Sequence, residues 1–402
     1  MNTGKLNIVF IVHNMYVWDA LSNIYQECIR NPQINTYVII ANDEHSGETI
    51  SQKAYAAKLT EYLLELKIPY FKIPRNDPAL LQKFFDDIQP DYIFRQYPWE
   101  DDYPTLFKLP NLKPYKLIYV PYFALDLMHF VINNHNMEVD SPFHRQCYRI
   151  YCNSPSMLEA GKEAERQRSD SGATAERQRS DSGATAEKFV YLGNTKLEHI
   201  TLNHQPQHNF QRTGKLHILW CPHHSIEGTV NIATFTQNCM DFVRLAQQNP
   251  HSIHIRLRAH PFLFAKLDTM LPQLSAQFKQ QWAALDNTSV DEHWDCLESF
   301  GWSDLQITDG VSFLAEYPII GKPSIFIEKD GHMPFNENGR LAAACNHTAR
   351  NMQDVVRYLQ DYLNGRLPSK QNELERFKQR ISYQGAAKRI VQDLLQHTPS
   401  EP

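Results

Sequence analysis

Two stretches of the sequence place histidine beside proline. His223 and His224 follow Pro222, and His260 precedes Pro261. Each pair comes after an apolar run that is typical of a buried strand. Because imidazole titrates near neutrality, a histidine at the end of a strand can donate a hydrogen bond or accept a proton. A solvated loop histidine without a chemical role is the alternative for each of them taken alone.

A third stretch joins small polar residues to a predicted helix start. Thr308, Asp309 and Gly310 follow a strand, Ser312 opens the helix, and Glu316 lies one turn later. The unpaired N–H groups and positive dipole of a helix start attract an anion such as a diphosphate. Ser312 can add a hydroxyl donor, and Glu316 could accept a hydrogen bond from a ribose hydroxyl. The alternative is that Asp309 only caps the helix while Glu316 faces water.

These residues should converge if their strands are parallel. The sequence predicts strands over Leu216–Cys221, Ile253–Ala259 and Leu305–Thr308. Carboxyl ends of parallel strands face the ligand crevice of an α/β sheet, so we expect the three histidines and Asp309 to share one pocket. Arg258 would help if its side chain points inward. There is no Asp-x-Asp metal motif, so we expect protein groups, without a metal cofactor, to neutralise the ligand charge.

Composition narrows the class of protein. At 402 residues the chain fits two domains, and a net charge of −5 without a Lys/Arg-rich run gives no reason to expect nucleic-acid binding. The seven cysteines lack a C-x-x-C pair. A disulfide or metal framework is therefore not expected, and a reducing cytoplasm is the simpler location. The apolar stretch over residues 117–132 contains Pro121, Asp126 and His129, so it does not read as a membrane span.

Strand and helix patterns alternate along nearly the whole chain. This order predicts an α/β protein with two Rossmann-like, doubly wound domains that face a cleft. We place an acceptor-side domain at 1–203, a nucleotide-donor domain at 204–370, and a C-terminal helix and tail at 371–402 that cross back onto the first domain. Further predicted helices cover residues 50–66, 101–109, 231–248, 262–284, 312–320, 352–363 and 371–396, and a further predicted strand covers 324–327.

An exact tandem repeat interrupts the alternation of predicted strands and helices. Ala164–Thr174 recurs unchanged as Ala175–Thr185. The unit is polar and has no large apolar residue, so it cannot bury a face of its own. We expect residues 164–187 to form a disordered or partly helical surface insertion. A partner-binding arm or a variable spacer is the functional alternative.

Several short motifs resemble the CDP-glycerol glycerophosphotransferase family, whose members build teichoic-acid-like polymers and related capsules. The matching pieces, in family order, are Gly193-Asn194-Thr195, Ile218-Leu219-Trp220-Cys221-Pro222, Arg258-Ala259-His260-Pro261, Thr308-Asp309-Gly310-Val311-Ser312 with Glu316, and Gly321-Lys322-Pro323. The resemblance spans roughly residues 189–330. It implies a GT-B-like fold and a cytosolic enzyme with a nucleotide-activated donor, CDP-linked in that family.

The sequence departs from the family at two places. Gly310 and Val311 replace a tyrosine and a serine of the family turn, and the His-Gly-Thr-Pro motif that holds the family's base is missing from the first domain. Candidates for the base are His13, at the end of the first predicted strand, and Asp126 or His129 near the fifth.

The resulting functional hypothesis is a transferase of surface-polysaccharide biosynthesis. It would move a polyol phosphate from a CDP-activated donor to a glycan or lipid-linked polymer acceptor, with His260, His223, His13 and Asp126 as catalytic candidates. The residues expected to bind the donor are Arg258, His224, Thr308, Asp309, Gly310, Ser312 and Glu316. A glycosyltransferase that uses a nucleotide sugar and a non-catalytic nucleotide-binding relative are the alternatives; a sugar epimerase of similar fold is less well supported by the first domain. Lys370, Arg376, Lys378 and Arg380 could contact the inner face of an anionic membrane, or form a solvated charged face.

Overall fold

The computed structural model describes residues 4–41, 59–74, 76–128, 130–132, 135–170 and 187–397. The chain forms two compact units. The first unit comprises residues 1–126, 130–199 and 381–402, and the second comprises 127–129 and 200–380. Each unit is built on a parallel sheet with helical connections, so the predicted fold class of two doubly wound, Rossmann-like sheets is confirmed.

The first unit contains a seven-stranded parallel sheet in the order β3-β2-β1-β4-β5-β8-β9. Its strands are β1 Leu6–Val12, β2 Ile34–Ile40, β3 Phe71–Lys72, β4 Tyr92–Arg95, β5 Leu117–Tyr119, β8 Arg149–Cys152 and β9 Phe189–Tyr191, with the small hairpin β6 Val131–Ile132 and β7 His135–Asn136 beside it. Its helices are α1 Asp19–Arg30, α2 Leu59–Glu65, α3 Pro78–Ile88, α4 Leu109–Leu112, α5 Pro142–Gln146, α6 Pro155–Asp170 and most of α7 Thr195–Asn203. The near-continuous apolar run of β1 fits its central position, where both sheet faces are covered.

The C-terminal segment returns to the first unit, as predicted, although it is two helices instead of one. They are α16 Gln371–Arg380, in the second unit, and α17 Ala386–Gln396, in the first. Gly385, the N-cap of α17, has a φ of +70°, a left-handed conformation that an α-helix does not contain. Asp393 of α17 accepts hydrogen bonds from Arg149 Nη2 at 2.6 Å and from the Tyr151 hydroxyl at 2.7 Å. These contacts anchor α17 to strand β8.

The second unit contains a six-stranded parallel sheet in the order β12-β11-β10-β13-β14-β15. Its strands are β10 Leu216–Cys221, β11 Ile253–Leu257, β12 Thr288–Val290, β13 Leu305–Thr308, β14 Ser324–Ile327 and β15 His347–Ala349. Its helices are α8 Asn209–Thr213, α9 Phe235–Gln248, α10 Phe262–Met270, α11 Pro272–Ala283, α12 Leu297–Trp302, α13 Phe313–Glu316, α14 Glu337–Ala344, α15 Met352–Leu363 and α16. The strand order reverses between β10 and β13, and this switch point is where ligands bind in such sheets.

The structure corrects several predicted helices. The helix expected over 262–284 is divided into α10 and α11, because Pro272 cannot continue the first of them. The segment expected to be helical over 312–320 is the single turn α13 followed by a 3₁₀ turn, Pro318–Ile320. Where an α-helix was expected over 101–109, the chain forms two short 3₁₀ turns, Glu100–Asp102 and Thr105–Phe107. Sequence patterns did not predict the short elements β12, α14 and β15.

The first repeat copy begins inside a helix. Residues 164–170 continue α6, and Arg168 forms an ion pair with Asp140. The rest of the repeat lies outside the described residues, as do His129 and most of the helix expected over 50–66. Within the described part of the chain, no helix is long and apolar enough to cross a membrane.

Candidate functional site

The turn after β13 is fixed to the neighbouring strand β10. Cys221 and Thr308, the last residues of these strands, are paired in the sheet. The Thr308 hydroxyl donates to the Cys221 carbonyl at 2.8 Å and accepts from the Gly310 amide at 2.9 Å. A side chain at Gly310 would begin only 3.2 Å from the Thr308 hydroxyl. Glycine therefore lets the backbone turn closely over the end of the strand.

The Asp309 side chain points toward the loop after β10 and the residue before α9. Its carboxylate accepts hydrogen bonds from the His223 amide at 2.6 Å, the Thr234 amide at 2.5 Å and the Thr234 hydroxyl at 2.7 Å. The residue is buried. Burial raises the pKa of Asp309 to about 6, although these hydrogen bonds act in the opposite direction. Asp309 thus holds the loop after β10 and the start of α9 in place, and its role in donor binding stays a prediction.

The structure brings His223, His224 and His260 together at the carboxyl ends of β10 and β11. The ring centroids lie 4.0 Å apart for His224 and His260, 4.4 Å for His223 and His224, and 5.2 Å for His223 and His260. All three residues are half-buried. This histidine cluster is the convergence that the strand-end argument predicts.

Hydrogen bonds define the tautomer of two rings in the histidine cluster. The Ser225 amide donates to Nδ1 of His223, and the Phe262 amide donates to Nδ1 of His260, each at 3.2 Å. A backbone N–H can only donate, so each Nδ1 must carry a lone pair. The proton of each neutral ring then lies on Nε2. His223 and His260 therefore each present an Nε2–H donor.

Burial keeps the histidine cluster uncharged. Desolvation lowers the pKa of His223 and His260 well below the ordinary value, and their imidazole neighbours lower it further. The pKa of His224 falls to about 4, again mainly through burial. The Lys266 ammonium, on α10, adds to the shift of all three rings. The cluster is thus a set of neutral donors beside one fixed positive charge.

This arrangement suits an anion better than a metal ion. One nitrogen from each of the three rings lies within 4.8 Å of the others, a spacing that could hold a metal. However, a metal needs a lone pair, and at His223 and His260 the lone pair on Nδ1 already accepts a backbone N–H while Nε2 carries the proton. Nε2–H groups can instead donate to phosphate oxygens.

Other predicted ligand-binding residues have different surroundings. Arg258 turns toward Asp291, with Nη1 2.7 Å from its carboxylate, and also donates to the carbonyls of His293 and Trp294. Ser312 precedes α13, and its side chain makes no capping hydrogen bond with that helix. Glu316 is buried in α13. The Arg258 guanidinium is therefore held by Asp291 and two carbonyls, and its role in donor binding stays a prediction. The solvated alternative for Glu316 is wrong, because the residue is buried.

Both base candidates in the described residues lie in the first unit and are enclosed. His13 follows β1, and its ring packs against Tyr97 at 4.8 Å and Tyr103 at 4.2 Å. Desolvation, followed by the nearby Arg95, lowers the pKa of His13 well below its usual range. Asp126 is buried and accepts a hydrogen bond from the Ser154 hydroxyl at 2.6 Å. The tyrosine rings around His13 and the Ser154 hydroxyl beside Asp126 would have to move before either candidate base could reach an acceptor. The base assignments therefore stay predictions.

Sequence reasoning missed three residues that shape the site: Ser225, Thr234 and Lys266. Thr234 precedes the amphipathic helix α9, a position typical of an N-cap residue. The sequence pattern is therefore sufficient to place Thr234 at the start of this helix. Lys266 lies one turn after Phe262 in α10. Ser225 had no local signal, because its contact with the His223 ring depends on the path of the loop.

Comparison with solved structures establishes the fold. The chain is similar to UDP-GlcNAc 2-epimerase from Neisseria meningitidis bound to UDP-GlcNAc, with a TM-score of 0.60, 12% identity and coverage of 98% of this chain and 100% of the other. It is similar to the S. aureus MnaA–UDP co-structure, with a TM-score of 0.61, 12% identity and coverage of 99% and 100%. The wall teichoic acid polymerase TagF gives a TM-score of 0.58, 14% identity and coverage of 98% and 89%.

No protein-family model and no curated protein matches the sequence. At such low identities the structural likeness establishes the shared GT-B fold. The resemblance to the CDP-glycerol glycerophosphotransferase family is thus supported at the level of fold, since a teichoic acid polymerase is among the neighbours.

Proposed function

We propose that the protein is a cytoplasmic enzyme that uses a nucleotide-activated donor, and that it transfers a polyol phosphate from a CDP-linked donor to a surface-glycan or lipid-linked polymer acceptor. The observation that carries this proposal is the histidine cluster at the carboxyl ends of β10 and β11, next to the switch point of the second sheet. Two rings with Nε2–H donors and the Lys266 charge form a site for the phosphates of a donor. The solved structures with UDP or UDP-GlcNAc support a nucleotide ligand for this fold.

The proposed chemistry is a single displacement at phosphorus. An acceptor hydroxyl oxygen forms a bond to the donor's outer phosphorus, and the bond from that phosphorus to the bridging oxygen breaks, so CMP leaves. The hydroxyl proton passes to a base, for which His13 and Asp126 remain the candidates. His223 and His260 donate hydrogen bonds to the leaving phosphate and stabilise its growing charge.

The substitution His260→Gln tests the role of the histidine cluster. Binding of CDP and UDP would be measured by calorimetry, together with CMP release from CDP-glycerol in the presence of a short polymer acceptor. His254→Gln is the matched control, because His254 is a half-buried histidine on β11 that lies outside the histidine cluster. We expect His260→Gln to reduce turnover by about 10²-fold or more, as for loss of one transition-state donor, and His254→Gln to change it little.

The outcomes separate the alternatives. CDP binding without CMP release across acceptors would replace the transferase with a nucleotide-binding protein. A preference for UDP would favour a sugar nucleotide, with either glycosyl transfer or epimerisation of UDP-GlcNAc as the activity to assay next. Dialysis against a chelator should leave nucleotide binding unchanged, and loss of binding that Zn²⁺ restores would contradict the anion-donor role of the cluster.

A further inference from the structure

A cavity of about 300 Å³ lies at the other edge of the second sheet, away from the histidine cluster. Its walls include Pro323, before β14, and His347, the first residue of β15. These positions mark the amino ends of the strands, whereas the histidine cluster follows carboxyl ends. A volume of this size falls at the lower end of small-molecule sites, roughly 300–1,000 Å³.

His347 places an unused polar group in this wall. The residue is only 4% exposed. Its ring packs against Tyr358 at 5.2 Å, and neither ring nitrogen makes a hydrogen bond with the described residues. Burial, followed by the charge of Lys370, lowers the pKa of His347 to about 4, so the ring is neutral and carries one N–H. The ring nitrogens are therefore available to hydrogen-bond a ligand or water in the cavity.

Lys370 supplies a positive charge in the same cavity. It lines the wall immediately before α16, whose first residue is Gln371. Its ammonium makes no ion pair or hydrogen bond with the described part of the chain. Lys322 also lines the cavity, but its ammonium already donates to three carbonyls at the end of α12, those of Phe300, Gly301 and Ser303. Lys370 is therefore the cation available to a ligand.

The remaining walls restrict the kind of ligand. Leu367, Pro368 and Leu374 give the cavity an apolar side, and the Tyr362 hydroxyl, which makes no hydrogen bond within the described residues, adds a donor. Glu373 is close enough to influence His347, yet it does not line the cavity. Cys345 lines the cavity, and burial raises its thiol pKa to about 12, so it stays protonated and unreactive.

We propose that this cavity binds a compact organic anion, a carboxylate or a phosphate monoester. Lys370 neutralises the anion's charge, His347 and Tyr362 donate hydrogen bonds to its oxygens, and the proline and leucine walls contact its carbon skeleton. The site is separate from the donor site and does not rest on the proposed function.

Calorimetric titration with inorganic phosphate and with succinate tests the proposal. The titrations use the full chain carrying His260→Gln, so that binding at the histidine cluster is suppressed. We expect one site for at least one probe, and the probe that binds more tightly identifies the head group. Adding Lys370→Met should weaken binding about tenfold, as for loss of one charge-assisted hydrogen bond. His347→Phe should also weaken binding while it keeps the ring contact with Tyr358.

Lys378→Met is the matched control. Lys378 lies on α16, the helix that follows Lys370; it pairs with Glu375 at 3.8 Å and does not line the cavity. Its loss should leave the affinity unchanged. The proposal is overturned if neither probe binds, or if Lys370→Met and Lys378→Met weaken binding equally, which would indicate only general surface charge. These results leave the nucleotide assay of the wild-type protein unaffected, so the two proposals fail separately.

Discussion

The substitution Thr234→Val tests how the protein holds the buried carboxylate of Asp309. It removes the hydroxyl that donates to that carboxylate at 2.7 Å and keeps the Thr234 amide, which donates at 2.5 Å. Valine has nearly the shape of threonine, so the packing around this buried position changes little. Thr234→Ser retains the hydroxyl and is the control.

The expected effect depends on pH. Burial places the pKa of Asp309 at about 6, above its ordinary value of 3.8, so ionisation of Asp309 makes the folded protein less stable as the pH rises from about 4 through 6. The Thr234 hydroxyl reduces this loss because it stabilises the ionised form. A hydrogen bond to a charged group contributes about 1.5–3 kcal/mol, against about 0.5–1.5 kcal/mol for a neutral pair. Thr234→Val should therefore lose about 1 kcal/mol more stability at pH 7.5 than at pH 4.5.

Urea unfolding followed by tryptophan fluorescence measures this difference. Four of the six tryptophans, Trp220, Trp282, Trp294 and Trp302, lie in the second unit, so the signal reports mainly on the unit that contains Asp309. An equal loss at both pH values, or a larger loss at pH 4.5, would refute the assignment of the hydroxyl to the ionised carboxylate. Thr234→Val should also weaken CDP binding, because Asp309 fixes the backbone of His223.

Further predictions concern stability. Lys322→Met removes three hydrogen bonds to the end of α12. In the same urea assay it should lower the free energy of unfolding of the second unit by about 2–3 kcal/mol. A change below about 0.5 kcal/mol would show that water replaces the three hydrogen bonds. Asp393→Ala leaves the buried Arg149 without its partner carboxylate and should lower the free energy of unfolding by about 3–5 kcal/mol. Amide hydrogen exchange in α17 and β8 should become faster. Unchanged exchange would show that α17 is held by apolar contacts alone.

Local patterns were sufficient to predict the elements that surround the site. Leu216–Cys221, Leu305–Thr308, Ser324–Ile327 and Met352–Leu363 have the same bounds in the structure as in the sequence prediction. These segments are short runs rich in apolar residues or have a strong helical period, so their structure is encoded locally. The meeting of His223 with His260 also followed from the sequence, because parallel strands bring their carboxyl ends to one edge.

The direction of individual side chains depended on tertiary packing. Asp309 and Arg258 follow strands that lead to the site, yet each turns to a partner distant in sequence, Thr234 for the carboxylate and Asp291 for the guanidinium. A buried charged side chain is stable only with a hydrogen-bond or ion-pair partner. The spacing of residues within one strand does not predict which loop supplies that partner. The cavity beside His347 and Lys370 could not be predicted from the sequence either, because β15 and the start of α16 come together only in the folded second unit. The sequence alone thus determined the sheets and the edge at which the histidines gather, whereas the tertiary structure decided which polar groups remain available to a ligand.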